Sequence, residues 1–137
     1  MKNRMKRNRI LVVMALIVTI FMGLSEKETA YAASKGTTFK VGPETVNASL
    51  SGDANGVTGS TFYTKGPGGV EVIVRGDAVV PGGSQVTGVL AMPPAANTPG
   101  GVSGTITPPA GKILIAARSH HYATINGDSN SCDITLF

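Results

Sequence analysis

Two adjacent histidines, His120 and His121, are of a residue type that could support metal binding or acid–base chemistry. Neighbouring side chains of a β-strand point to opposite faces, so the pair could not easily hold one ion together. A zinc site needs three or four converging ligands, and the chain has no third histidine. The sequence therefore favours a surface or strand-edge pair of histidines over a zinc site.

The segment from Asn126 to Asp133 is rich in oxygen-bearing side chains, which calcium and other hard cations prefer as ligands. Asp128, Asn130 and Asp133 are its weak candidates for metal binding. Their spacing does not match an EF-hand loop, and Asn, Asp, Gly and Ser are also the ordinary residues of turns. A plain turn is the favoured interpretation, and no cofactor is predicted.

Cys132 is the only cysteine, so the chain cannot form an internal disulfide bond. In a strand it would share one face with Ile134 and Leu136. Because cysteine is among the residue types most often buried, this alternation predicts an inert core thiol in preference to a nucleophile or an intermolecular bridge.

Common hydrolase motifs are missing from the chain: G-x-S-x-G, H-E-x-x-H and S-x-x-K do not occur. A serine could still form a triad with one of the histidines and Asp77, Asp128 or Asp133, since triads are defined by geometry. Nothing in the sequence selects a particular serine. No catalytic residue is predicted, and a small hydrolase is the least favoured function.

Arg75-Gly76-Asp77 is the tripeptide that integrin ligands display on exposed loops. Matches of three residues occur often by accident. The simpler interpretation is that these residues end a strand over Val70–Arg75 and begin a turn.

The amino-terminal residues combine three features of a secretory signal peptide. A basic cluster precedes an apolar run over 10–24, and Ala30-Tyr31-Ala32 forms a small-x-small cleavage site. The run is shorter than the ~20 residues of a membrane span. We expect cleavage after Ala32, secretion, and no membrane association afterwards. The long basic region and this cleavage site resemble the export signals of Gram-positive secreted proteins, so a bacterial source is expected.

Removal of residues 1–32 changes the charge of the protein. The whole chain has a net charge of +4, whereas residues 33–137 contain six basic and six acidic side chains. The six remaining basic residues are scattered singly. Because nucleic-acid binding depends on clustered Lys and Arg that neutralise phosphates, the sequence argues against a nucleic-acid partner.

Residues 33–137 have the size and composition of one small all-β domain. Gly and Pro make up 25 of these 105 residues, which leaves little room for helices. Apolar residues alternate with polar ones, and Asn126-Gly127 is a strong hairpin signal. A β-sandwich is predicted, with a small barrel as the alternative. The nine predicted strands are 37–41, 45–50, 60–64, 70–75, 85–91, 102–107, 112–117, 121–125 and 132–137.

These features predict a secreted, non-catalytic structural or interaction protein of the cell surface or extracellular matrix. Its partner would be the cell envelope or another extracellular protein, and the domain itself would be a monomer. The alternative is a secreted ligand-binding, inhibitor or toxin-like effector module that acts through loops such as 93–101 and 128–131.

Overall fold

The computed structural model describes residues 32–91 and 99–137, and these residues form two antiparallel sheets without a helix. The strands are β1 Ala33–Val41, β2 Glu44–Asp53, β3 Gly56–Phe62, β4 Gly68–Val79, β5 Thr87–Ala91, β6 Gly101–Ile106, β7 Ile113–Ile125 and β8 Asp128–Thr135. Sheet 1 has the strand order β1-β2-β3-β6, and sheet 2 has the order β5-β4-β7-β8. The all-β expectation is confirmed. The alternative of a barrel is wrong for the described residues, because the two sheets do not join into a closed barrel.

The inner faces of the two sheets meet in an apolar core that comprises two clusters of buried residues. Alternating residues of β2 and β4 are fully buried, as their sequence pattern predicts: Val46 and Leu50 in sheet 1, and Val72 and Val74 in sheet 2. Gly59 of β3 faces the same core, where a Cβ would lie 2.7 Å from Cγ2 of Val74. The absence of a side chain at this position therefore allows the two sheets to approach each other.

Two hairpin turns follow directly from local sequence. Asn126 and Gly127 have φ values of 54° and 88°, which is the type I′ geometry of a two-residue hairpin. The predicted hairpin between β7 and β8 is thereby confirmed. Between β2 and β3, Oδ1 of Asp53 accepts a hydrogen bond of 2.7 Å from the backbone N–H of Asn55. This contact is an Asx turn, the ordinary structural use of an aspartate at such a position.

Strands β4 and β7 are longer than the sequence predicts. The predicted strands 112–117 and 121–125 form one strand, β7, and β4 continues through Arg75-Gly76-Asp77 to Val79. The predicted turn at that tripeptide is therefore wrong. The β4–β7 register shifts between Asp77 and Ala78, and Ile115 is the unpaired residue of this bulge. The bulge absorbs a local irregularity without ending either strand.

Strands β1 and β8 lie at neighbouring edges of the two sheets, and side chains bridge them. Nζ of Lys35 donates to the carbonyl of Thr135 at 2.7 Å, and Nδ2 of Asn130 donates to the carbonyl of Lys40 at 2.8 Å. These bonds satisfy backbone acceptors on both edges. Among the described residues no helix has the length and hydrophobicity to span a membrane.

Candidate functional site

The two adjacent histidines occupy opposite faces of β7. His121 is fully buried, whereas the side chain of His120 is 45% exposed. The separation onto two faces agrees with the strand periodicity, but the expected surface location is wrong for His121. His121 faces the core because two hydroxyl groups meet its ring nitrogens there.

The buried imidazole of His121 joins the two sheets through hydrogen bonds. Its Nδ1 lies 2.7 Å from Oγ1 of Thr61 in β3, and its Nε2 lies 2.6 Å from Oγ of Ser119 in β7. Thr61 donates its hydroxyl proton to the carbonyl of Glu71 at 3.2 Å. It must therefore accept from Nδ1–H, which leaves Nε2 of a neutral ring to accept from Ser119.

Burial lowers the pKa of His121 to about 4, and the positive charge of His120 adds to this effect while Asp133 partly opposes it. The ring is consequently neutral at neutral pH. Ser119 is only 3% exposed, so a substrate could not reach this serine and histidine from outside. We interpret Thr61, Ser119 and His121 as a structural network.

On the outer face of sheet 2, two arginines lie directly opposite each other. Arg75 of β4 pairs in register with Arg118 of β7, which in turn pairs with Thr135 of β8. The adjacent row along the strands contains His120 and Asp133. All five side chains point outward because their neighbours in sequence fill the core.

These residues line a concavity of about 310 Å³, which we call the arginine groove; its walls are Ile73, Arg75, Arg118, Ser119, His120, Asp133 and Thr135. A smaller concavity of about 90 Å³ continues from it on the other side of the arginines and includes Asp77 and Phe137. Arg75, Arg118 and Thr135 line both concavities. The two arginines therefore border both concavities.

The charges in the arginine groove are unevenly paired. Nδ1 of His120 lies 2.8 Å from Oδ1 of Asp133; this hydrogen bond becomes an ion pair when His120 is protonated, and the described residues contain no other ion pair. Neither arginine has a carboxylate within ion-pair distance there. The groove therefore contains two cationic forks that are available to an external acceptor.

The three metal-site candidates are not brought together by the structure. Asp128 and Asn130 point to one face of β8, and Asp133 points to the other, where it binds His120. Within residues 32–91 and 99–137, no group of three or more His, Cys, Asp or Glu side chains could hold a metal ion. A cation site at Asp128, Asn130 and Asp133 stays a prediction without a geometric argument in its favour.

Strand β8 also determines the state of two other reactive groups. Cys132 is partly buried against the core beside Ile134, as the alternation predicts. Burial, and to a smaller extent the charge of Asp133, raise the pKa of its thiol. On the outer face, hydrogen bonds from Ser129 and Thr124 lower the pKa of the Tyr122 phenol.

The loops proposed for ligand binding fare differently. Residues 128–131 belong to β8, so they are a strand and not a loop. Residues 92–98, most of the other predicted loop, lie outside the described residues. Arg75-Gly76-Asp77 lies within β4 and is therefore not displayed on a loop as an adhesion motif would be.

Sequence reasoning missed the arginine groove. The alternation of β4 places Arg75 on the outer face, but Arg118 is distant in sequence and comes beside it only through the β4–β7 register. Comparisons with protein families, with curated proteins and with solved structures found no match.

Proposed function

We propose that this chain is exported, cleaved after Ala32, and released as a monomeric, non-catalytic interaction protein of the cell surface or extracellular matrix. Its binding surface is the arginine groove. The observation that supports this proposal is the pair of exposed arginines, Arg75 and Arg118, which lie side by side in a concave surface without an acidic partner among the described residues.

The start of the fold is consistent with export and cleavage. β1 begins at Ala33, the residue that follows the proposed cleavage site, so the cut would leave the whole strand intact. Intact-mass analysis of the protein in the culture medium tests this point. A product that begins at Ala33 is expected, and a secreted product that retains residues 1–32 would overturn the proposed processing.

The arrangement of the titratable groups supports binding in preference to catalysis. The hydrogen-bonded serine and histidine, Ser119 and His121, are both buried. The exposed His120 has a carboxylate partner in Asp133, but no described hydroxyl group hydrogen-bonds to it as a nucleophile would. The exposed surface thus offers charge and hydrogen-bond donors for recognition.

Retention on the cell envelope is the direct test of the proposed function. The secreted protein should co-sediment with washed envelope from its own source, and Arg75→Thr with Arg118→Thr should abolish this retention. Lys40→Thr with Lys65→Thr is the matched control, because it also removes two positive charges but lies away from the groove. Equal retention of both double variants would exclude the groove as the binding surface.

A further inference from the structure

The two arginines of the groove are a costly arrangement for the fold alone. Arg75 and Arg118 are direct cross-strand partners, and like charges in such positions destabilise a sheet. A carboxylate between them would relieve the repulsion, yet the nearest acidic groups serve otherwise or stand apart. Asp133 is engaged with His120, and Asp77 forms no ion pair with either arginine in the described structure. The repulsion is left for an external anion to relieve.

The number and geometry of the donors indicate which anion fits. Each guanidinium group offers five N–H donors in a planar fork that matches carboxylate or phosphate oxygens. Two adjacent forks on neighbouring strands approach one acceptor from two sides. A carboxylate presents two oxygens in one plane, whereas a phosphate group presents oxygens in several directions. The paired forks of Arg75 and Arg118, with the Thr135 hydroxyl beside them, therefore favour a phosphate group.

We infer that the arginine groove binds a phosphate group through the guanidinium groups of Arg75 and Arg118. This inference rests on the proposed function, because it names the ligand class of the same surface. The phosphate belongs to a larger extracellular molecule, since about 310 Å³ exceeds the needs of the bare ion and reaches the lower end of the ~300–1,000 Å³ of small-molecule sites. Ile73 provides an apolar wall for the group that carries the phosphate.

An acidic group on either side of the two arginines limits the length of the anion. Asp133 borders the larger hollow, and Asp77 borders the smaller one. A polyanion lying along the surface would meet a carboxylate on either side of the arginines. The surface at Arg75 and Arg118 is consequently suited to one phosphate group, and not to the successive phosphates of a nucleic acid.

Titration of the secreted protein, followed by amide chemical shifts in NMR at low ionic strength, tests the inference. The probes are glycerol 3-phosphate, inorganic phosphate and acetate. Glycerol 3-phosphate should bind most tightly and shift amides of β4, β7 and β8, while acetate should bind at least about ten-fold more weakly. Equal affinity for inorganic phosphate would keep the site and identify free phosphate as its ligand. Equal affinity for acetate would overturn phosphate recognition.

Variants separate this site from general charge attraction. Arg75→Thr with Arg118→Thr should weaken glycerol 3-phosphate binding about ten-fold or more, since both forks are lost. Arg75→Lys with Arg118→Lys should still weaken it several-fold, because lysine retains the charge but not the fork. Lys40→Thr with Lys65→Thr should bind like the parent. If Arg75→Thr with Arg118→Thr binds glycerol 3-phosphate as tightly as Lys40→Thr with Lys65→Thr, the inference is wrong.

The readouts for the ligand and for the proposed function can fail independently. Thermal unfolding at or above the parental temperature would show that the Arg75→Thr, Arg118→Thr protein is folded, so its loss of binding is not a loss of structure. Envelope retention that depends on the arginines without phosphate binding would refute the phosphate ligand and leave the interaction function standing. Phosphate binding without envelope retention would refute the proposed interaction function and leave the phosphate ligand standing.

Discussion

The outer faces of the two sheets use the same strand geometry for opposite chemistry. On sheet 1, Ser60 pairs in register with Ser103, and Thr58 pairs with Thr105. Both pairs are hydrogen-bonded, with oxygen separations of 2.7 Å and 2.8 Å. Like residues that face each other across these strands therefore satisfy each other.

On sheet 2 the equivalent meeting of like residues joins Arg75 and Arg118, whose like charges repel each other. Serine and threonine act as donor and acceptor at once, whereas arginine has no acceptor atom. A pair of hydroxyls is thus complete in itself, but a pair of arginines needs a third group. This difference distinguishes the proposed binding surface on sheet 2 from the outer face of sheet 1.

The core between the two sheets contains a histidine, His121, that remains neutral, and acid should therefore destabilise the fold. The pKa of His121 is about 4 in the folded chain and near the ordinary value of 6.5 when unfolded. As the pH falls below 6.5, the unfolded chain takes up the proton first, so the free energy of unfolding should decrease until about pH 4. The loss should reach at most about 3 kcal/mol.

Urea unfolding from pH 7 to pH 4 measures this effect, and the adjacent histidine offers a control. His120→Asn should retain the decrease, whereas His121→Asn should flatten the profile between pH 6.5 and pH 4.5 although its stability at pH 7 is lower. A parental profile that is flat over this interval would show that His121 is not buried between Thr61 and Ser119.

The close approach of the two sheets should also depend on a glycine, Gly59. Gly59→Val adds a side chain whose Cβ would lie 2.7 Å from Cγ2 of Val74 and 3.1 Å from Cγ2 of Val72. Overpacking of this kind costs about 1–3 kcal/mol, and we expect about 2 kcal/mol in chemical denaturation. Gly88→Val is the control, because no atom lies within 4 Å of a Cβ at that strand position. Equal stability of the two variants would contradict the close approach of the sheets.

The fold could be predicted as far as local patterns reach. Alternation located the buried residues of β2 and β4, and Asn126-Gly127 located a hairpin. The strands predicted over 112–117 and 121–125 leave out Arg118-Ser119-His120. This segment continues as β7 because Ser119 and His121 face inward and find hydrogen-bond partners there. Whether a polar residue can be buried depends on a partner that the local sequence does not show.

The candidate site could be predicted less well, since each of its contacts is non-local. The alternation of β4 places Arg75 on the outer face, but its neighbour Arg118 is determined by the β4–β7 register. Likewise, the partner of His121 across the core is Thr61, which belongs to the other sheet. The periodicity of one strand assigns a face to each residue, whereas it does not identify what lies opposite.

Cys132 tests whether the last strand presents its charged side to the groove. Cys132 precedes Asp133 in β8, and its side chain points to the opposite, inner face, where it packs against the core. Cys132→Ala should therefore lower the free energy of unfolding by about 1 kcal/mol. Cys132→Ser should cost more, because it places a polar hydroxyl group at a partly buried position that packs against the apolar core. Thermal unfolding measures both. Parental stability in both variants, together with rapid maleimide labelling of the native thiol, would indicate a register shifted by one residue.

Double-mutant cycles on the two faces give the smallest expected effects and the most direct test of their difference. For Ser60 and Ser103, the coupling should be favourable by about 0.2–0.5 kcal/mol, since each alanine substitution removes the same shared hydrogen bond. For Arg75 and Arg118 substituted by threonine, the coupling should be unfavourable by about 0.2–1 kcal/mol, and the double variant should be at least as stable as the parent.

Added salt should reduce the arginine coupling, because salt screens exposed charges, and leave the serine coupling unchanged. Addition of glycerol 3-phosphate should likewise diminish the repulsion in the parent alone. A favourable coupling between the arginines in the absence of phosphate would mean that the fold itself relieves their repulsion, so that no external anion is required.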